Sequence, residues 1–164
     1  MKIAEAAHEF LTSKRIAVTG VSRTPENHGS NVVYRRLRER GYDVYAVNPR
    51  ADTVEGDRCF PALSDIPDGV DAVVIGTRPE HAEDTMKECI ALGVPQVWMH
   101  RAFGAGSVDP VAAELGRAHG ITVIDGGCPC MFAPTADGAH RLIRGVCSLT
   151  GAVPRRVAEP VSSG

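Results

Sequence analysis

Residues able to hold or transform a ligand gather at a few points of this 164-residue chain. The densest is the stretch Gly20-Val21-Ser22-Arg23-Thr24-Pro25-Glu26-Asn27-His28-Gly29, between a short apolar run and an amphipathic one. Glycines, hydroxyls and the amino end of a helix can cradle an anion: backbone N–H groups and the positive end of the helix dipole face it, and Arg23 can add a charge-assisted bond. A phosphate cradle and an ordinary glycine-rich connection fit this spacing equally well. The usual dinucleotide fingerprint is absent, since Ser22 and Pro25 stand where the second and third glycines belong. No acid ends the second apolar run to take up a ribose. Asn48-Pro49-Arg50 follows instead, although Asp52 keeps an NAD(P) reading open.

Three further groups invite chemistry. Cys128-Pro129-Cys130 places two thiols close together, as a redox pair would need, but zinc usually takes four ligands and thiol reactivity needs a lowered pKa. Packing, or simple thiols, is the plainer reading. The six histidines, at 8, 28, 81, 100, 119 and 140, lack metalloprotease spacing. His100 directly follows an apolar run and could face a crevice as an acid or base, though a structural or merely polar role is simpler. Arg35, Arg36, Arg38 and Arg40 could suggest nucleic acid, yet a charged outer helix face is usually just solvated. Trp98 lies inside an apolar run, which favours core packing over base stacking.

The elements that must position these groups are legible as alternating patterns. Short apolar runs at Ile16 to Thr19, Val44 to Val47, Ala72 to Ile75, Gln96 to Met99 and Ile121 to Ile124 start about 24 to 28 residues apart, enough for crossover helices. Continuous rather than alternating apolar character predicts strands covered on both faces. Helices are expected between them, with Val32, Val33 and Leu37 on one inner face, Ala82, Met86 and Ile90 on a second, and Val111, Leu115 and Ala118 on a third. Gly41, Gly93 and Gly120 supply the stops. The segment from Asn48 to Asp71 is broken by Gly56, Pro61, Pro67 and Gly69, so at most a short strand and a helical turn are expected there. Residues 3 to 12 and Thr135 to Ser148 predict terminal helices, and the tail from Pro154 is expected to be loose or only locally packed. The pattern is that of one doubly wound α/β domain over residues 1–150, a mainly parallel sheet of about five strands with helices on both faces. Ligand is expected beyond the carboxyl ends of the strands, where the strand order reverses.

Composition excludes several classes. Eighteen basic and twenty acidic residues give a net charge of −2, too balanced for a chain that holds nucleic acid by bulk charge. No apolar run approaches the roughly 18 to 20 residues that span a bilayer, and the first residues carry charge where a signal peptide would be apolar. Five scattered cysteines do not form a disulfide framework, so a reducing cytoplasm is the default compartment.

The ordered set of motifs resembles the CoA-binding domain proteins, whose Rossmann-like fold is shared with the amino-terminal domain of the succinyl-CoA synthetase alpha subunit. The matching pieces run from Ile16-Ala17-Val18-Thr19-Gly20-Val21-Ser22-Arg23 through Gly29, Gly41-Tyr42-Asp43-Val44, Val47-Asn48-Pro49, Gly56 and Leu63-Ser64-Asp65-Ile66-Pro67. They continue through Asp71-Ala72-Val73-Val74, Arg78 and Val97-Trp98-Met99 to Gly120-Ile121-Thr122-Val123-Ile124-Asp125 and Cys128-Pro129, spanning roughly residues 10 to 132. The resemblance implies that coenzyme A or an acyl-CoA is the small-molecule partner. It places Gly20, Val21, Ser22, Arg23 and Thr24 at the phosphates, Asn48, Pro49 and Arg50 beside the adenosine or its 3′-phosphate, and Thr77, Arg78 and Pro79 along the adjoining crevice. Relatives often carry Lys-Pro where this chain has Asn27-His28, which removes a fixed positive charge unless His28 substitutes when protonated. The synthetase's phosphorylated histidine lies in a further domain with no counterpart in these residues, so the expectation is a binding or regulatory module without complete catalytic machinery. A small NAD(P)-dependent oxidoreductase or redox sensor using Ser22, Asn48 and the Cys128/Cys130 pair is the alternative. Neither nucleic acid nor membrane is an expected partner, and pairing into a homodimer is left open.

Overall fold

A computed structural model describes residues 1–24, 28–102, 104 and 106–161. Helix α1 (Ile3–Phe10) precedes strand β1 (Arg15–Thr19), helix α2 (Gly29–Glu39) and strand β2 (Asp43–Val47). A hairpin of β3 (Thr53–Val54) and β4 (Asp57–Phe60) follows, then β5 (Ala72–Ile75), α3 (Ala82–Ala91), β6 (Gln96–Met99), α4 (Pro110–Ala118), β7 (Thr122–Asp125) and α5 (Gly138–Leu149). The strands form one sheet in the order β3-β4-β2-β1-β5-β6-β7, parallel except for the β3/β4 pair. The order reverses between β1 and β5, and that is where a doubly wound sheet leaves a crevice.

The expected α/β architecture holds, but the sheet has seven strands rather than about five. The two extra strands are the hairpin in the segment where at most one short strand was expected. Its residues mix Thr, Asp and Arg with Val, Cys and Phe because it lies at the sheet's edge, and its turn rests on Glu55 and Gly56, both with positive φ (51° and 80°). The five legible strands are covered on both faces, and Ala72, Val73, Val74 and Ile75 are all fully buried.

One side of the sheet is packed by α1 and α2 around Trp98, whose ring meets Phe10 edge-on at 5.3 Å and Phe132 at 5.5 Å. Its indole N–H donates to the Gly126 carbonyl at 2.9 Å, so the buried polar end is satisfied. The other side holds α3 and α4 around Met86, Met99 and Val123. The buried face of α4 differs from the expected one: Ala112, Ala113 and Gly116 are inside, whereas Val111 and Ala118 are exposed. Close approach explains this, because a Cβ on Gly116 would stand 2.6 Å from Met86 Sδ and 2.9 Å from Val123 Cγ2. The final segment packs at long range: Lys2 bridges Arg156, and Val157 is buried with its N–H on the Met1 carbonyl. Among the described residues no helix is long and apolar enough to cross a membrane.

Candidate functional site

The carboxyl ends of β1 and β5 approach closely, and glycine at both makes this possible. A Cβ on Gly20 (φ 73°) would stand 2.6 Å from the Gly76 carbonyl oxygen, and one on Gly76 would stand 2.1 Å from Ser30 Oγ. The same contact is polar and satisfied. Ser30 Oγ donates to the Gly76 carbonyl at 3.0 Å, and Thr19 Oγ1 accepts the Gly76 N–H at 3.2 Å. The first turn of α2 is thereby fixed over the reversal point.

That turn is uncapped. His28 is the N-cap residue with an extended backbone, but its side chain makes no capping bond, and no acidic residue lies in the first turn. Among the described residues no acceptor meets the N–H of Gly29 or Ser30. Unpaired N–H groups at the positive end of an eleven-residue helix favour an anion. They open into a cavity of about 360 Å³ whose wall includes His28, Thr77, Arg78, His100 and Ser107. Thr77 Oγ1 is buried there without a partner. Arg78 is exposed, its side chain 82% accessible and its guanidinium 3.9 Å from the Glu80 carboxylate.

His100 lies across this helix start, its Cε1 2.7 Å from where a Cβ on Gly29 would be. Burial pushes its imidazole down to about 4, so it is neutral near pH 7. Sequence reasoning treated His100 as structural by preference; its position directly after a strand was the signal that it faces the crevice.

The remaining expected residues divide into those at the cavity and those that shape it. His28, Thr77 and Arg78 line it together. Arg23 and Thr24 are exposed on the preceding loop, where Ser22 Oγ accepts the Thr24 N–H at 3.1 Å. Val21 is fully buried in the core. Asn48 braces the loop, its amide donating to the Val21 carbonyl and its oxygen accepting the Arg50 N–H, both at 2.9 Å. Pro49 and Arg50 are exposed beyond it, and Pro79 opens a short 3₁₀ turn at Pro79–His81. Asn27 lies outside the described residues.

A bracing residue missed from the sequence is Asn31. Fully buried in α2, it accepts the Ser22 N–H at 2.8 Å and donates to the Ser22 carbonyl at 2.9 Å and to Glu55 Oε1 at 2.8 Å. Glu55 also pairs with Arg35 at 2.8 Å, while Asp57 pairs with Arg38 and accepts from the Tyr34 hydroxyl. The α2 arginines are therefore largely engaged with acids, Arg36 with Asp137 included. Cys128 and Cys130 are buried, and their mutual hydrogen bond together with burial pushes the Cys128 thiol well above its ordinary value, opposite to an activated thiolate. Among the described residues no cluster of His, Cys, Asp and Glu could hold a metal ion.

A mainly parallel, doubly wound sheet with helices on both faces and a glycine crossing at its reversal point defines a Rossmann-like α/β domain. Residues 14–134 match the family model described as CoA binding domain, and the chain belongs to that family. It is 37% identical over 138 residues to ADP-forming acetate–CoA ligase II of Archaeoglobus fulgidus, covering 79% of this chain but only 19% of the ligase. It is 30% identical to the uncharacterized protein YneT of Bacillus subtilis, covering 74% of this chain and 86% of that one. A solved structure of a hypothetical protein from Pyrococcus horikoshii superposes with a TM-score of 0.70 at 31% identity, covering 77% of this chain and 86% of the other.

Proposed function

We propose that this protein binds coenzyme A or an acyl-CoA at the β1/β5 crevice and acts as a binding or regulatory module. The observation that carries the reading is the uncapped start of α2, where the N–H groups of Gly29 and Ser30 open into the cavity of a CoA-binding family member. The ligand's phosphates would sit on these groups, with the exposed Arg23 and Arg78 supplying positive charge beside them. Arg50 and the Asn48-braced turn border the adenosine side, and the buried Thr77 hydroxyl supplies a hydrogen bond along the cavity wall. The neutral His100 adds a polar contact without a fixed charge.

The covered region corresponds to 19% of the ligase, so transfer of an acyl group is not assigned to these residues. The burial of both thiols, with that of Cys128 pushed above its ordinary value, weighs against the redox alternative. Titration calorimetry with CoA, acetyl-CoA and NADH tests the reading. Saturable CoA binding is expected, weakened by about 3- to 10-fold in Arg23→Ala and in Arg78→Ala, in keeping with exposed charge-assisted contacts. Absence of heat and of any thermal shift at millimolar CoA, or NADH outcompeting CoA, would overturn it.

A further inference from the structure

Helix α5 carries apolar side chains on two sides, one facing the domain and one facing solvent. Of its twelve residues only Cys147 is buried, its Sγ 3.2 Å from the Ala102 carbonyl oxygen. The side that meets the domain holds Cys147 and the half-buried Ile143, with the Arg144 guanidinium 5.2 Å from the centre of the Phe132 ring, while His140 Nδ1 meets Asp137, the helix's own N-cap residue, at 2.8 Å. The opposite side carries Gly138, Ala139, Leu142, Gly145, Val146 and Leu149, with no charge among them. Leu142 is 74% exposed, Val146 52% and Leu149 89%. Half of the exposed large hydrophobic residues among those described therefore form a single stripe on one helix. A contiguous apolar stripe left facing water on one helix marks a contact surface. This helix lies beyond residue 134, where the CoA-binding match ends, so the inference does not depend on the ligand reading.

We infer that α5 is covered by α5 of a second copy, packed antiparallel about a two-fold axis near Gly145. The stripe is self-complementary, as an isologous interface requires: Leu142 and Leu149 flank Gly145, so each leucine can settle beside the glycine of the facing helix. Electrostatics selects the antiparallel direction. The helix has no acidic residue, its last turn has no basic one, and Arg141 borders the stripe near the amino end. Antiparallel pairing brings each Arg141 to the carboxyl end of the facing helix, where the dipole is negative; parallel pairing would set the two arginines together. The three large side chains offer roughly 400 Å² per copy, about half of what a stable dimer buries on each side, so the pairing is weak and reversible.

Sedimentation velocity from about 1 to 200 µM protein tests this, a range that brackets micromolar pairing. The wild-type mass should rise from 17.4 kDa toward twice that value with concentration. The double variant Leu142→Glu/Leu149→Glu should remain monomeric throughout, its dissociation constant raised about 100-fold or more. Val111→Glu, an equally exposed apolar site on α4, should behave as wild type. Near-UV circular dichroism and an unchanged CoA titration of the double variant would show that it is folded and that only pairing is lost. Gly145→Cys should form a disulfide-linked dimer under mild oxidation by air. A wild-type chain monomeric across the range, or a dimer that the double variant leaves intact, would overturn the pairing; a Gly145→Cys protein that does not cross-link would overturn the axis.

Discussion

The neutral imidazole of His100 makes stability depend on pH in a narrow window. Its ordinary value of 6.5 falls to about 4 in the fold because burial disfavours the charged ring. Above pH 6.5 the ring is neutral in both folded and unfolded chains and the full stability is present. As pH falls, the unfolded chain takes up a proton first, so stability is lost between about 6.5 and 4; below that both states are protonated and the loss stops growing. A difference of about 2.5 pKa units corresponds to roughly 3 kcal/mol, or about 6 to 12 °C in Tm for a domain of this size. Urea or thermal denaturation at pH 7, 6, 5 and 4 on wild type and His100→Gln measures it. The wild-type curve should drop through this window while the variant, whatever its starting stability, stays nearly flat. Asp137, held at about 2 by the His140 N–H and side chain, loses its contribution only at lower pH and so does not mimic the effect. Parallel slopes for the two proteins between pH 6.5 and 4 would refute the argument. If an anion binds at Gly29 and Ser30, saturating CoA should shrink the wild-type drop, because a negative charge beside His100 raises its pKa.

Two further outcomes follow from the crossing and its brace. Gly76→Ala drives a Cβ to 2.1 Å from Ser30 Oγ and 2.6 Å from the Thr19 carbonyl, and should cost about 1 to 3 kcal/mol and weaken CoA binding by displacing the start of α2. An unchanged Tm would show that the β1/β5 approach is looser than described. Asn31→Ala removes the acceptor of the Ser22 N–H and should cost about 2 kcal/mol. Hydrogen exchange at the Ser22 amide should accelerate more than in the rest of α2, and unchanged protection would count against the brace.

The parts of the fold readable in the sequence are those where burial is complete. Val73 and Val97 are enclosed on both faces, so their strands read as uninterrupted apolar runs, and the five expected strands lie within one residue of their observed bounds at each end. The hairpin escaped because its outer strand is only two residues long, its inner strand β4 is half polar, and Glu55 adopts a left-handed turn position that favours glycine. The inner face of α4 was misplaced because a close helix contact selects small residues over large ones. At the candidate site, Gly20 and His28 were legible from the stretch between a strand and a helix, whereas Thr77 and Arg78 came only from the family resemblance. Asn31 was not legible, since a helical asparagine gives no sign that its amide is turned inward to hold a loop, and the pairing of Arg35 and Arg38 depends on acids brought in by the hairpin.

That hairpin also closes one side of the sheet. A parallel sheet ending at β4 would present the free N–H and C=O groups of a four-residue strand to any extended chain. Instead Thr53 and Val54 fold back onto Arg58 and Asp57, and the outermost strand is only two residues long, too short to template further pairing. The turn at Glu55 and Gly56 therefore protects this edge of the sheet against growth by strand addition, and the side chain of the same Glu55 holds the Asn31 amide that steadies the loop after β1.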